Sequence, residues 1–204
     1  MENWFRNLFE STVTDRDMFL ARLFGIFNED IVRIWCEASW SPYRDLGRPR
    51  VTPPHGEKGY TLDFTLQSRK DSSIYVAEMK CWVGYQDHRY LTLSNVKQLE
   101  ELEGPAFDAF LDAAKYPSRC KVSVNKKSHA ISGAILIWGN VDDSGRTAIQ
   151  RTHKIAHVFS LKDIIDQMVT RKHQPYLEFL KERCGWCEHL FQGLAINRRP
   201  GMER

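Results

Sequence analysis

The sequence predicts an α/β domain in which a central mixed sheet is flanked by helices. Three observations predict it: adjacent strand-like segments over residues 60–66 and 74–80, a near-continuous apolar run over 131–138, and helical periodicity before, between and after them. Segments that alternate in this way bury their apolar faces as helices layered on a sheet. At 204 residues, with 42% hydrophobic and 27% charged residues, the chain has the size of one ordinary domain and the balance of a soluble globular protein. We read 1–204 as a single domain, with a core over about residues 19–159, C-terminal helices over 161–190 and a loose tail from Asn197.

The elements follow from spacing. Thr14-Asp15-Arg16-Asp17 has the form of a capping box, with Asp17 in the usual Glu/Gln place, and predicts a helix start. Phe19, Leu20, Leu23, Phe24 and Phe27 follow at helical intervals. Asn28 predicts a break or a new N-cap, after which residues 29–40 form a second helical segment with Ile31, Ile34 and Trp35 inward. Residues 41–59 hold four prolines and three glycines, the composition of a loop, with room for one short strand near Arg50-Val51-Thr52. Tyr60, Leu62, Phe64 and Leu66 alternate with Thr61, Asp63 and Thr65, which predicts a strand. A polar turn over 67–73 separates it from a second strand over 74–80. A helix is predicted from Ser94, carrying Val96, Leu99 and Leu102; it is interrupted at Gly104-Pro105 and resumes through Phe107, Phe110 and Leu111 to Lys115. The run 131–138 has the mark of a strand buried on both faces. A further strand is expected over 155–159, and helices over 161–170 and 175–187 close the order.

No stretch approaches the ~18 consecutive apolar residues that a membrane span needs. Residues 1–10 lack the basic segment and apolar run of a secretory signal, so a cytoplasmic location without membrane attachment is expected. Five scattered cysteines (Cys36, Cys81, Cys120, Cys184 and Cys187) read as reduced thiols. Cys184-Gly-Trp-Cys187-Glu-His189 has one half of a zinc pattern; a structural zinc normally takes four ligands, so helical packing is the better reading.

The hairpin carries the chemistry. Alternate residues of a strand share a face, so Glu78 and Lys80 point the same way. With the turn symmetric about Lys70-Asp71, Asp63 lies directly opposite Glu78. Opposed residues of an antiparallel pair project together, with Cβ atoms ~5 Å apart. Two carboxylates so placed repel, and Lys80 is the one group of the hairpin that compensates them. A hard divalent cation resolves the conflict, since Mg²⁺ is held by one or two carboxylates together with waters and substrate phosphates. The plain alternative is an accidental Glu-x-Lys on a solvated strand face. Glu78-Met79-Lys80 is, however, the only Glu-x-Lys or Asp-x-Lys in the chain, and it ends a strand that follows an Asp-bearing one.

Asp63, fourteen intervening residues and then Glu78-Met79-Lys80 resembles the D…ExK signature of the PD-(D/E)XK nucleases. The order of predicted elements is also similar to the αβββαβ core of that restriction-endonuclease-like superfamily, over roughly residues 19–159. The resemblance implies a phosphodiester hydrolase, an endo- or exonuclease dependent on Mg²⁺ or Mn²⁺. It implies that Asp63 and Glu78 hold the ion with the Met79 carbonyl, and that Lys80 assists the attacking water and stabilises charge. Leu62 stands where the superfamily's name has Pro; the Asp supplies the ligand in either case. Many members place a Glu on the first core helix. Glu29, in Phe27-Asn28-Glu29-Asp30-Ile31-Val32, resembles their Phe-Glu-x-x-Val pattern, with Glu37 two turns later as its rival. Gln98, in Lys97-Gln98-Leu99, resembles a Gln that one branch carries on the helix after the ExK strand.

A net charge of +3 permits a nucleic-acid partner without requiring one. Distribution says more. Residues 113–141 contain no acidic residue, while Lys115, Arg119, Lys121, Lys126 and Lys127 supply positive charge suited to a phosphate backbone, or to a solvated loop. Arg44, Arg48 and Arg50 offer a second contact, and Tyr43, Trp40 and Trp82 are aromatic candidates for base stacking or for the core. By family analogy the substrate is DNA in preference to RNA. No separate DNA-reading module is visible, so a homodimer or a protein partner is expected to supply specificity. The alternative is a catalytically silent nuclease fold that binds nucleic acid or acts as a scaffold subunit in a larger complex.

Overall fold

A computed structural model describes residues 4–9, 13–54, 56–81 and 92–196. Trp82 and the expected tail from Asn197 lie outside the described residues. The chain divides into two compact units, Met1–Ile165 and Asp166–Arg204.

The first unit opens with α1 (Trp4–Phe9) and α2 (Thr14–Glu37), followed by β1 (Tyr43–Asp45), β2 (Arg50–Thr52), β3 (Tyr60–Thr61), β4 (Phe64–Ser68) and β5 (Ile74–Lys80). Next come β6 (Thr92–Leu93), α3 (Lys97–Glu100), α4 (Pro105–Lys115) and a 3₁₀ turn at Pro117–Arg119. Then follow β7 (Lys121–Val124), β8 (Lys127–His129), β9 (Gly133–Trp138), β10 (Asn140–Val141), α5 (Asp143–His153) and β11 (His157–Ser160). Helix α6 (Leu161–Thr170) carries the chain into the second unit, which holds α7 (Gln174–Ile196). No helix among the described residues is long and apolar enough to cross a membrane.

The main sheet has the order β1-β4-β5-β9-β11. Strands β1, β4 and β5 pair antiparallel, and β9 and β11 extend the sheet in parallel. All six residues of β9 are buried, as its unbroken apolar run requires of a strand in mid-sheet. Helix α4 begins with Pro105 at its first turn, after Gly104 at φ 138°. It packs Phe107 and Phe110 into a core with Leu62, Val76 and Leu136. On α2, Ile31, Val32 and Trp35 are buried; the Trp35 ring stands 5.8 Å from Phe159 and 6.3 Å from Tyr43. Tyr43 is therefore a core aromatic, not a base-stacking surface.

Several expectations are corrected. Helix α2 is continuous, and it starts at Thr14 with Val13 in the N-cap position, so Thr14 is not the capping residue. Asn28 does not break it: its side chain is buried, and packing overrides a weak helix preference. The first strand of the main sheet is β1, which was expected to be loop. Three residues carry no periodicity, and β1 exists because β4 supplies its partner in the register Tyr43↔Ser68 to Asp45↔Leu66. The strand expected at Arg50–Thr52 forms, but in a second sheet of order β3-β2-β7-β8.

The expected single strand over 60–66 is two strands. Tyr60–Thr61 pairs with β2, and Phe64–Ser68 pairs with β1 and β5. The break falls on Leu62-Asp63, so Leu62 joins the α4-side core while Phe64 lies under Arg33 of α2, 5.4 Å from guanidinium carbon to ring centre. Both faces of β4 are consequently buried, including Thr65. The basic stretch after α4 is a β7–β8 hairpin, turned by Asn125 and Lys126 at φ 49° and 65°.

Helix α5 was not anticipated because it has little apolar face; Gly145 and Ile149 are its buried residues. It starts where Asp142 accepts the Gly145 N–H at 2.6 Å, against the backbone of β6. A Cβ on Gly145 would stand 2.4 Å from the Leu93 carbonyl oxygen. Gly145→Ala is therefore expected to destabilise by about 1–3 kcal/mol, the usual cost of overpacking between backbones that cannot part. Urea unfolding measures this, and an unchanged midpoint would show that α5 shifts freely.

Candidate active site

Asp63 stands where the chain passes from one sheet to the other. Leu62 N–H donates to the Pro49 carbonyl beside β2 at 3.1 Å, and β4 begins one residue after Asp63. The β4–β5 register, Phe64↔Ala77 and Thr65↔Val76, is the one expected from the turn, and its continuation sets Asp63 against Glu78 just past the last pair. There the side chain replaces the missing ladder partner: Asp63 Oδ2 accepts the Met79 N–H at 2.8 Å. In an extended strand the N–H and C=O of one residue leave by the same edge, so the Met79 carbonyl is directed to the Asp63 side as well.

Glu78 is buried, at 6% exposure. Its Oε1 accepts from Lys80 Nζ at 2.7 Å, as two residues on one strand face can. Its Oε2 is buried with no hydrogen-bond partner among the described residues. Lys80 Nζ also lies 5.5 Å from the centre of the Phe107 ring of α4, which holds the amine against an apolar wall.

Burial raises both carboxyls above the ordinary carboxylate range. For Glu78 the charge of Asp63 adds to burial, while Lys80 and, more weakly, the Asp63 backbone N–H oppose them. For Asp63 the Met79 N–H counteracts burial; the charge of Glu29 raises its pKa further, and Lys80 and Arg48 lower it. Cys81, next along the strand, has its thiol pushed up by burial and by Asp63, so it is an inert neighbour.

Glu29 lies within electrostatic reach of Asp63. It sits in mid-helix on α2, so a favourable interaction with a helix N-terminus does not explain it. Burial works to raise its carboxyl, but hydrogen bonds from Arg48 and Arg33 outweigh burial and hold it below the usual range. The Arg33 bond is 2.8 Å, and Arg48 pairs with the same Oε2. Arg48 in turn feels the charges of Asp63 and Glu78. Glu37 is exposed at the end of α2, and Cys36 is the group that registers its charge.

The structure thus gathers Glu29, Arg48, Asp63, Glu78, Met79 and Lys80. Of the other candidates, Lys126 and Lys127 stand nearby: the adjacent Asn125 donates to the Leu46 carbonyl at 3.5 Å, two residues before Arg48. Lys121 stands at the far end of the same hairpin, where it pairs with Thr52, roughly 15 Å along the strand at ~3.3 Å per residue, and Arg119 lies beyond it in the 3₁₀ turn. Arg50 lies across Gly59, whose added Cβ would come within 2.7 Å of the guanidinium nitrogen.

Gln98 is corrected. It is buried, its Oε1 accepts from Ser94 N (2.8 Å) and Asn95 N (3.1 Å), and its Nε2 donates to Thr92 O (2.9 Å). These bonds brace the entry to α3 and turn the side chain inward, away from the surface position expected for a nucleic-acid contact. Two neighbours of the site escaped the sequence reading: Arg33, discoverable from its i,i+4 spacing to Glu29, and Phe107, which carries no local signal.

Among the described residues no group of three or more His, Cys, Asp or Glu side chains converges closely enough to hold an ion alone. The donor set is two opposed carboxylates, one with an unpartnered oxygen, and a backbone carbonyl. Searches with this chain found no matching family model, no matching curated protein and no matching solved structure.

Proposed function

We propose that the protein is a metal-dependent nuclease that hydrolyses phosphodiester bonds, with DNA as its favoured substrate. The observation that carries the reading is the buried Asp63–Glu78 opposition beside Lys80, with Glu78 Oε2 making no hydrogen bond among the described residues. Two buried carboxylates set against each other cost stability even with one lysine beside them, and strain of this kind is kept where function uses it. The donors are all oxygen and are two carboxylates strong, which fits Mg²⁺ or Mn²⁺ completed by water and phosphate. The order α2, β1, β4, β5, α4, β9 also supports a restriction-endonuclease-like core.

In this reading Asp63, Glu78 and the Met79 carbonyl would hold a divalent ion, which would supply a water of lowered pKa and polarise the phosphate. The Lys80 amine, positioned by Glu78 and the Phe107 ring, donates to the water or to the phosphate oxygen where negative charge grows. Arg48, on the exposed rim, exchanges Glu29 for a substrate phosphate. Lys126 and Lys127 extend that positive rim.

The direct Lys80–Glu78 ion pair favours a second reading, a silent nuclease fold that binds nucleic acid as part of a larger complex, because it neutralises a metal ligand. Cleavage assays on single-stranded, duplex and branched DNA with Mg²⁺, Mn²⁺ or EDTA separate the two. Metal-dependent products lost with EDTA support the nuclease; binding without cleavage in any metal supports the scaffold.

A further inference from the structure

The second unit carries a feature independent of the nuclease reading. On α7, Leu177, Leu180, Cys184, Cys187, Phe191 and Leu194 recur at intervals of three, four, three, four and three residues. This is the 3.5-residue repeat of a two-helix seam, narrower than the stripe of a helix lying on a globular core. From Leu177 to Leu194 the seam runs about 26 Å at ~1.5 Å per residue. Its leucines are exposed at both ends, Leu177 and Leu180 at 38% each and Leu194 at 66%, and Phe191 keeps 53% of its surface in solvent. Leu190, on the flank of the seam, is 60% exposed. An apolar face this continuous marks an interaction surface.

The same residues identify the occupant. When two copies of the seam run antiparallel, Leu177 meets Leu194 of the second copy, Leu180 meets Phe191, and Cys184 meets Cys187. Every large side chain then faces one of suitable size, and the two small layers fall together at the two-fold axis. The flanking positions agree, since Lys181 lies beside the second copy's Glu188, giving two opposite-charge pairs. Both residues are exposed, and Glu188 also accepts from Gln192 at 3.1 Å. A parallel arrangement would stack Phe191 on Phe191 and rely on Arg183 to reach Glu188. Arg183 is already engaged, its guanidinium 4.7 Å from the Phe179 ring centre and 4.2 Å from that of Trp186.

We propose that α7 is a homodimerisation helix, packing antiparallel against α7 of a second copy in a closed two-fold interface. The test is sedimentation equilibrium of the full chain under reducing conditions across the micromolar range. The wild type is expected at twice 23.8 kDa. Phe191→Asp, and separately Leu194→Lys, should weaken self-association by on the order of 100-fold or more without changing the far-ultraviolet circular dichroism. A monomeric wild type, or two variants that stay dimeric, would overturn the proposal. Glu188→Lys should also loosen the dimer, and adding Lys181→Glu should restore it. Failure of that charge swap to restore association overturns the antiparallel arrangement.

Discussion

Lys80→Ala is expected to slow single-turnover cleavage by on the order of 100-fold or more, the usual cost of losing positioned charge stabilisation in a water-poor site. Metal affinity should stay the same or rise, because the amine bonded to Glu78 Oε1 competes with a divalent ion for that oxygen. The metal-free variant should also be less stable than wild type, since the buried Glu78 then loses the ammonium bonded to its Oε1. Breaking a buried pair by removing one partner typically costs about 3–5 kcal/mol, and the 24% exposure of the Lys80 side chain lowers that figure. Mn²⁺ should restore most of the loss. Lys80→Arg should recover little activity, because a planar guanidinium cannot take the place of a compact amine between Glu78 and the Phe107 ring. Calorimetric metal titration and single-turnover cleavage read the two halves separately. Wild-type cleavage by Lys80→Ala would remove Lys80 from the active site.

Asp63→Asn should abolish cleavage and weaken metal binding by more than the ~10–100-fold seen when an outer partner of a metal ligand is lost. The same change should stabilise the metal-free protein at neutral pH. The Asn amide oxygen can still accept the Met79 N–H, so one negative charge disappears while the bond that ends the ladder survives. Asp63→Ala is a poorer probe, because it orphans that N–H at a cost of about 1–3 kcal/mol. The pH dependence has a definite sign. Burial raises both carboxyls, and Asp63 adds to the rise at Glu78, so their charged forms cost stability in the fold. That cost is present above the raised folded pKa values and is relieved as pH falls through them toward the ordinary carboxylate range. Acidification from neutrality should therefore narrow the gap between wild type and Asp63→Asn, and Mn²⁺ at neutral pH should reverse their order. Thermal melts across pH, with and without Mn²⁺, decide it. A markedly less stable metal-free Asp63→Asn would make Asp63 a structural group.

Local spacing was enough for the elements that bury a repeating face. Strand β9 was readable as an apolar run, α4 as a helix begun at Gly104-Pro105, and the β4–β5 register from a turn whose two arms match. The opposition of Asp63 and Glu78 follows from that register, so the pairing at the centre of the candidate site was legible too. The surroundings were not. Strand β1 is three residues held by β4, and α5 is a polar helix tucked against the β6 backbone. Asn28 stays helical because it is buried, and Gln98 turns inward to brace a loop. Above all, the chain breaks at Leu62-Asp63 because Tyr60–Thr61 finds its partner in β2 and Phe64 onward finds its partners in β1 and β5. That break, and the arrival of Arg48 at Glu29 from 19 residues away, depend on contacts between segments distant in sequence. Periodicity records which residues share a face; it holds no information about which segment a short strand or a long charged side chain will meet across the fold.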